Sequence, residues 1–359
     1  MIASAPPARG LRFELARPGD DADLRALLRA TPMGGAVSVA FLREPDFFRA
    51  ARAQGTFVQV FVARSGGKIA AVASRAVRPS YVNGRPVDAG YLGDLRIRPE
   101  HRGGPILARG FRFLRESLHA DGRVRVYGTL IVGDNAAALS TVASGRAGLP
   151  RYADLGRVLT PMISLARPRP DLGGDVVRAA ASDLPEIVRR LNEERLQLAP
   201  AYREEDFLDG RFPGFRIEDF LLLRRGRRLA GVLGAWDPSS FRQTVVAGYR
   251  GWLGALRPAV NLVRRPPLPP PGGAIRIRYA AFPAADDVAA FRVLLRRIQR
   301  ESAGGAWDYL AIGLHERDPR AAALAEYPRI PFFGRLFAVT FDGPPELDGR
   351  VPFVEAATL

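Results

Sequence analysis

The sequence has 359 residues, 47% apolar and 25% charged, so it predicts a globular protein of two domains and excludes a disordered chain or a membrane span. It contains no cysteine, which excludes disulfides and thiolate metal sites and is typical of the cytoplasm; its three histidines lack metal-ligand spacing, so we expect no metal. The net charge of +16 comes almost entirely from arginine, which favours a phosphate-bearing partner such as a nucleotide cofactor or a nucleic acid.

The first half of the chain alternates strands and helices in the order β-α-α-β-β-β-α-β-α-β. Residues 1–10 have no apolar stretch of signal-peptide length and are expected to form a disordered lead-in. Apolar periodicity and turn residues then predict strands at 11–16, 56–63, 68–77, 91–97, 124–132 and 155–165. Between them the same pattern predicts helices that carry Leu24 and Leu28, Phe41 and Phe48, Ile106 and Leu118, and Asn135 to Ala143.

The stretch YLGDLRIRPEHRGGPILARGFRFLRE, residues 91–116, is the most informative part of the sequence. A strand ends before Pro99, the loop Arg102-Gly103-Gly104 follows, and apolar residues at helical spacing begin at Ile106. A helix start has N–H groups without internal partners and favours an anion, so this corner is a candidate phosphate site. The alternative is a plain strand-to-helix corner with a solvated arginine.

The second half resembles the first, which predicts a tandem duplication. The segment RPRPDLGG at 167–174 reads as a linker between a domain at 11–166 and one at 175–359. Arg178 repeats Arg17, and YREEDFL at Tyr202 repeats FLREPDFF at Phe41, both at an offset of 161 residues. The motif at Asp134 recurs at Asp318, and the extra residues between fit a proline-rich insertion near 248–273.

With this element order and the RGG corner, the first half resembles the GCN5-related N-acetyltransferase (GNAT) superfamily, and the second half resembles it more weakly. The resemblance implies an α+β chain of two tandem domains, each a mixed, mostly antiparallel central sheet flanked by helices. It also implies that acetyl-CoA or another acyl-CoA lies where the sheet splays beside strand 91–97. The residues expected to bind it are Leu95, Arg96, Ile97, Arg102, Gly103, Gly104, Pro105, Ile106, Leu107 and Asn135.

The sequence departs from the family pattern at several of these positions. The motif Arg/Gln-x-x-Gly-x-Gly/Ala has Pro105 and Leu107 at its two glycine positions, which removes one N–H and crowds the loop. The family's acidic tyrosine position, seven residues after Asn135, holds Val142, and Tyr152 is the nearest substitute. Asp94, on the strand that lines the expected gap, is the candidate base for an attacking amine; the alternative is a carboxylate that pairs with Arg96 or Arg98.

The second half lacks the RGG corner and is expected to shape the acceptor site. Asp286 and Asp287 stand where its helix begins, so they should cap that helix and exclude a phosphate. The function predicted is therefore acetyl-CoA-dependent N-acetyl transfer to a small-molecule or peptide amine. The alternative is a non-catalytic acyl-CoA-binding or regulatory protein of the same fold; nucleic-acid binding is possible but less favoured, because the arginines are scattered along the chain.

Overall fold

The computed structural model describes residues 10–133, 135–143 and 148–359, so most of the predicted lead-in at 1–10 and two stretches around the fourth helix lie outside it. The first half contains four helices: α1 (Asp21–Ala30), α2 (Phe47–Arg52), α3 (Ile106–Phe113) and α4 (Ala136–Ala143). Its strands are β1 (Arg12–Leu15), β2 (Val37–Leu42), β3 (Phe57–Ser65), β4 (Lys68–Val82), β5 (Arg85–Ile97), β6 (Tyr127–Val132), β7 (Arg151–Leu159) and β8 (Met162–Ser164).

The second half repeats much of this order, with one helix inserted and a 3₁₀ helix, Pro319–Glu326, in place of the fourth α-helix. Its helices are α5 (Leu184–Glu193), α6 (Glu205–Leu208), α7 (Trp252–Val263) and α8 (Val288–Ser302). Its strands are β9 (Asp175–Arg178), β10 (Phe220–Arg225), β11 (Arg228–Trp236), β12 (Gln243–Tyr249), β13 (Ala274–Ile275), β14 (Ile277–Ala285), β15 (Tyr309–Ala311), β16 (Leu314–His315), β17 (Arg329–Ile330) and β18 (Phe333–Thr340). None of the described helices is long and apolar enough to cross a bilayer.

Two large sheets and a small one organise these elements. The first sheet has the order β1-β3-β4-β5-β6-β18-β7-β16, and the second has the order β17-β8-β15-β14-β11-β10-β9. Pairing is antiparallel throughout both, except for β5 with β6 and β14 with β15, which run parallel. The third sheet, β13-β12-β2, joins the two halves, because β2 comes from the first and β12 from the second. The fold is therefore the predicted mixed, mostly antiparallel α+β architecture in two copies.

The two halves exchange strands. Strand β18 lies between β6 and β7 in the first sheet, and β8 lies between β15 and β17 in the second. Each insertion satisfies backbone groups that would otherwise form an exposed edge. The sheets therefore do not follow the predicted division of the chain at 166 and 175, and those domain limits stay a prediction.

Turn chemistry and apolar spacing account for the elements that the sequence predicted correctly. Gly66 and Gly67 both have positive φ between β3 and β4, and Asn83 and Gly84 do so between β4 and β5, as tight hairpin turns require. Helix α1 buries Leu24, Leu27 and Leu28 on one face. The helix predicted around Phe41 is wrong at its start, because Phe41 belongs to β2 and only residues from Phe47 onward are helical.

The duplication extends to an irregularity in the central strand of each half. The pairing of β5 with β4 shifts between Gly93 and Arg96, and Asp94 has a φ of +55°. The pairing of β14 with β11 shifts in the same way, and Phe282 has a φ of +54°. Both strands thus carry a β-bulge at the equivalent position, which bends the strand and separates it from its parallel neighbour.

Candidate functional site

A gap opens between β5 and β6 in the first half. The two strands pair only at Gly90 with Tyr127 and at Tyr91 with Gly128. Beyond that point β6 continues along β18, while the bulge at Asp94 turns β5 away. In the part of the chain that the structure describes, no strand pairs with this edge of β5 after Tyr91, so the splayed sheet predicted from the sequence is present.

The edge of β5 that faces the gap offers unpaired backbone groups. The N–H of Arg98 donates to the carbonyl of Ala70 on the β4 side at 2.9 Å. Because alternate residues of a strand point the same way, Arg96 also faces β4, while Leu95 and Ile97 direct their N–H and C=O groups into the gap. Side chains meet two of these carbonyls: Arg96 Nη1 donates to Leu95 O at 2.9 Å, and Arg102 Nε donates to Ile97 O at 3.2 Å.

The RGG corner lies at the open end of this edge. Gly103 has a φ of +75°, a conformation that favours glycine, and helix α3 begins at Ile106. Pro105 immediately precedes the helix, and its carbonyl accepts the N–H of Arg109 at 2.9 Å. Proline lacks an N–H, but at this position the helix has no carbonyl that would accept one. The N–H groups of the first turn of α3 are left without helical partners.

The corner also carries uncompensated positive charge. The guanidinium of Arg102 is exposed, and among the described residues it has no carboxylate within 4.0 Å. An anion at this place would meet both that charge and the dipole of α3. Ile106 itself is buried and anchors the helix against the sheet.

Asp94 is held by a polar cluster at the bulge. Its carboxylate accepts from Arg43 Nε at 3.0 Å and Nη2 at 2.6 Å, from Ser74 Oγ at 3.0 Å and from Gln54 Nε2 at 3.4 Å. Burial raises the pKa of Asp94, but the charge and hydrogen bonds of Arg43, with Arg96 and Ser74, outweigh it and hold the pKa below its usual value. The carboxylate is therefore ionised at neutral pH and has a low proton affinity.

Two further predicted site residues are Tyr152 and Asn135. Tyr152 lies on β7, beyond β6, and Asn135 lies at the start of α4. Tyr152 packs edge-on against Phe111 of α3 and Phe337 of β18, and burial raises the pKa of its hydroxyl above the usual value. Asn135 caps α4, since its Oδ1 accepts the N–H of Ala138 at 3.1 Å. The structure brings Tyr152 into the same apolar cluster as Leu92 of β5. The catalytic role of Tyr152 stays a prediction.

Buried polar residues at the closed end of the gap were not predicted. A cavity of about 10 Å³ lies there, lined by Gly90, Tyr91, Gly128 and Arg78 among others. Burial raises the pKa of Tyr91 to about 12 and lowers the pKa of Arg78. Arg78 Nη1 donates a hydrogen bond to the carbonyl of Gln54 at 3.3 Å. An arginine inside the apolar run of β4 was the sequence signal for this feature.

Glu355 is a buried carboxylate whose pKa is raised far above its usual value. Its oxygens accept the N–H of Phe282 at 2.8 Å and that of Ala357 at 3.1 Å, at the bulge of the second half. Burial raises the pKa of Glu355 to about 7, against the opposing effects of these hydrogen bonds and of Arg78 and Arg242. A lone glutamate in the apolar segment VPFVEAATL was the only sequence signal for it.

A second, larger cavity of about 220 Å³ lies in the second half, and we call it the cleft. Arg242, Arg276, Tyr279 and Trp307 are among its lining residues. Arg242 Nη2 donates to the hydroxyl of Tyr279 at 2.6 Å, and Trp307 Nε1 donates to Asp237 Oδ2 at 2.9 Å. The cleft therefore combines cationic groups with aromatic walls.

The cleft is connected to the gap through two neighbouring residues of the first half. Gln243, which lines the cleft, donates to the carbonyl of Glu44 at 3.0 Å and accepts the N–H of Glu44 at 3.0 Å. Arg43, the residue before Glu44, donates a hydrogen bond to the carboxylate of Asp94 at the bulge. The strand pairing of β2 with β12 fixes this connection across the two halves.

The second half has no phosphate corner equivalent to that of α3. The carboxylate of Asp287 caps α8 by accepting the N–H of Ala290 at 2.7 Å, and it pairs with Arg225 at 2.8 Å. Asp286 pairs with Arg228 at 3.0 Å. The predicted capping is confirmed for Asp287 but is wrong for Asp286, whose carboxylate pairs with arginines instead of accepting a helix N–H. An anion at this helix start would meet like charge. No group of histidine, aspartate and glutamate among the described residues is arranged to hold a metal ion.

Comparison with known proteins identifies the fold. No protein-family model and no curated protein sequence matches this sequence. The chain is similar to Saccharomyces cerevisiae N-myristoyltransferase with bound myristoyl-CoA, with 10% identity over 96% of this chain and 88% of that one and a TM-score of 0.62. It is also similar to a GCN5-related N-acetyltransferase from Anabaena variabilis, with 11% identity over 91% and 72% of the two chains and a TM-score of 0.51.

A third similar structure is a probable N-acyltransferase from Enterococcus faecalis, with 12% identity over 92% of this chain and 72% of that one and a TM-score of 0.50. At these identities the likeness concerns the fold. The predicted GNAT fold in two tandem copies is confirmed.

Proposed function

We propose that this chain, which has the tandem GNAT fold, is an N-acyltransferase that uses acetyl-CoA and binds it in its first half. The observation that carries the proposal is the open edge of β5 leading to the RGG corner. An extended pantetheine arm can pair with the N–H groups of Leu95 and Ile97 as an added strand does. The pyrophosphate then reaches the start of α3 and the unpaired Arg102. The absence of cysteine favours a cytoplasmic location.

The size of the cavity at the closed end supports a short acyl group. Its volume of about 10 Å³ is close to that of a single water site, and Arg78 lines it. A long alkyl chain would have to displace buried residues or contact a guanidinium without a matching polar group. Acetyl-CoA therefore fits this chain better than a long-chain acyl-CoA.

The proposed reaction is direct attack of an amine on the thioester. The ammonium of the acceptor first gives one proton to a base. The amine nitrogen then forms a bond to the carbonyl carbon, the bond from carbon to sulfur breaks, and the CoA thiolate takes up the second proton that the new amide nitrogen releases. Backbone N–H groups at the bulge are suited to bind the carbonyl oxygen as negative charge develops on it. Two groups with opposite pKa shifts, Asp94 and Glu355, remain candidates for the electrostatic and proton-accepting roles.

In this proposal Asp94 and Glu355 have different roles, because their surroundings shift their pKa values in opposite directions. The low proton affinity of Asp94 suits it to position Arg43 and the bulge and to attract an ammonium ion, as a permanently ionised group. The raised pKa of Glu355 suits it to exchange a proton near neutral pH. The predicted base role of Asp94 is tested by the pH profile of an Asp94→Asn variant: loss of the acidic limb supports that role, and an unchanged profile supports positioning.

We propose the cleft as the acceptor site. Gln243 and Glu44 connect it to the bulge, and Trp307 and Tyr279 provide flat apolar surface beside charged groups. Arg242, which has no carboxylate within 4.0 Å among the described residues, favours an acceptor that carries a carboxylate close to its amine, as an amino acid or a peptide does. Arg276 is already paired with Asp308 at 2.6 Å.

Calorimetric titration with acetyl-CoA tests the proposal directly. We expect binding by the full chain, with affinity reduced about tenfold or more in Arg102→Glu because the variant places a negative charge at the pyrophosphate. Arg300→Glu is the matched control, since Arg300 is exposed on α8 in the second half. Absence of binding at millimolar acetyl-CoA, or equal affinity in Arg102→Glu, would contradict the proposal.

The second candidate function is acyl-CoA binding without transfer. The engagement of Asp94 by Arg43, Ser74 and Gln54 favours it, because a carboxylate with this many donors is a weak base. Tight acetyl-CoA binding without release of CoA across a broad set of amines would support this candidate. Release of CoA that depends on an added amine would support transfer.

A further inference from the structure

Helix α7, in the insertion of the second half, presents its apolar side to solvent. Trp252 is 69% exposed, Leu256 49%, Leu262 78% and Val263 87%. Trp252, Leu256 and Val263 follow one another at helical spacing, so they form one face of the helix. No residue of α7 is buried. Folding of the chain therefore does not account for this apolar surface.

Polar side chains make the hydrogen bonds on the inner side of the same helix. Asn261 Nδ2 and Arg257 Nη1 both donate to the carbonyl of Leu268, at 3.0 and 3.2 Å, and the N–H of Leu268 donates to Asn261 Oδ1 at 2.8 Å. Arg264 Nη2 donates to the hydroxyl of Tyr309 at 3.2 Å. These contacts fix α7 on the protein through its polar residues. Leu253 and Val260 are half-buried on this side, so α7 has apolar residues on both its inner and its outer face.

The sequence on both sides of α7 is rich in arginine. Between Asp237 and Asp286 the sequence has no acidic residue and seven arginines. Four of them flank or belong to the helix: Arg250, Arg257, Arg264 and Arg265. Among the described residues, none of these four has a carboxylate within 4.0 Å, whereas many arginines elsewhere in the chain are paired, such as Arg297 with Asp171 and Glu301.

We propose that α7 docks this protein on the surface of a bilayer that contains anionic lipids. A helix with an outward apolar face, a tryptophan at one end and flanking arginines can lie in the headgroup region with its apolar residues toward the acyl chains. At 12 residues α7 is too short to span the bilayer, so it would lie in the interface. The cationic flanks specify the lipid charge, because each arginine near an anionic surface adds attraction that salt screens.

Co-sedimentation of the full chain with vesicles tests this proposal. We expect binding to vesicles of equal parts phosphatidylglycerol and phosphatidylcholine at low salt, and little binding to pure phosphatidylcholine. The double variant Trp252→Ser/Leu256→Ser should lose about tenfold or more in partition, because two large apolar side chains no longer enter the interface. Arg250→Gln/Arg265→Gln should lose about 25-fold, because about fivefold per arginine is expected near an anionic surface.

Leu208→Ser is the matched control, since Leu208 is a 62% exposed leucine on another helix, α6; it should bind as the unaltered chain does. Fluorescence gives an independent measurement: emission of the exposed Trp252 should shift to the blue when anionic vesicles are added, and the double variant should lack that shift. Absence of binding to anionic vesicles, equal binding to both lipid mixtures, or unaltered binding by the double variant would overturn the proposal. A dimer in solution that the double variant dissociates would overturn it too, because a second copy would then cover this face.

Discussion

The ion pair between Arg43 and Asp94 allows a quantitative prediction about the bulge. The two side chains are 6% and 9% exposed, and their closest N···O distance is 2.6 Å. In Arg43→Met the carboxylate keeps only the hydrogen bonds from Ser74 and Gln54 and loses its counter-charge. Breaking a buried pair in this way costs about 3–5 kcal/mol, so we expect the free energy of unfolding at pH 7 to fall by that amount.

The pH dependence of this deficit has a definite sign. In the unaltered chain the pKa of Asp94 is below 3.8, so Asp94 contributes stability above that pH and loses it as the pH falls through the folded-state pKa. In Arg43→Met burial acts unopposed by Arg43 and raises the pKa, so protonation on acidification removes the uncompensated charge. The difference between the two proteins should therefore shrink as the pH falls from 7 toward 4.

Urea unfolding followed by tryptophan fluorescence at several pH values measures this difference. Arg115→Met is the control, because Arg115 and Asp342 form an exposed pair at 59% and 72% exposure and its loss should change stability by only about 0.5 kcal/mol. The double variant Arg43→Met/Asp94→Asn should recover most of the lost stability at pH 7. A deficit no larger than that of Arg115→Met, or one equal at pH 7 and pH 4, would refute the reasoning.

Three further predictions concern the corner, Glu355 and the cleft. Gly103→Ala should cost about 1–2 kcal/mol of stability and weaken acetyl-CoA binding, since its φ is +75°, whereas Gly104→Ala should change neither measurably, because its added Cβ meets nothing closer than 3.9 Å. Burial raises the pKa of Glu355 from 4.5 to about 7. Its contribution to the free energy of unfolding is therefore full below pH 4.5, and about 3 kcal/mol is lost as the pH rises through 7. Glu355→Gln should remove this pH dependence of stability in urea titrations at pH 5 to 8. Trp307→Ala should raise the KM for an amine acceptor about tenfold and leave acetyl-CoA affinity in calorimetry unchanged, and the reverse pattern would reject the cleft as the acceptor site.

The sequence determined the local elements and their repetition. The turns Gly66-Gly67 and Asn83-Gly84 fixed two hairpins, apolar spacing fixed α1 and α3, and the order of elements was sufficient to identify the GNAT fold in both halves. The capping role of Asp287 also followed from its position alone. These features depend on residues close together in the chain, whose conformational preferences act before any long-range contact forms.

The tertiary structure decided which distant residues meet. The exchange of β8 and β18 and the pairing of β2 with β12 join segments far apart in the chain, and no local pattern specifies such a partner. For the same reason the sequence suggested the nearby Arg96 or Arg98 as a partner of Asp94, whereas Arg43, 51 residues away, lies against it. The electrostatics of the site depend on burial and on these long-range neighbours, and both arise only when the chain folds.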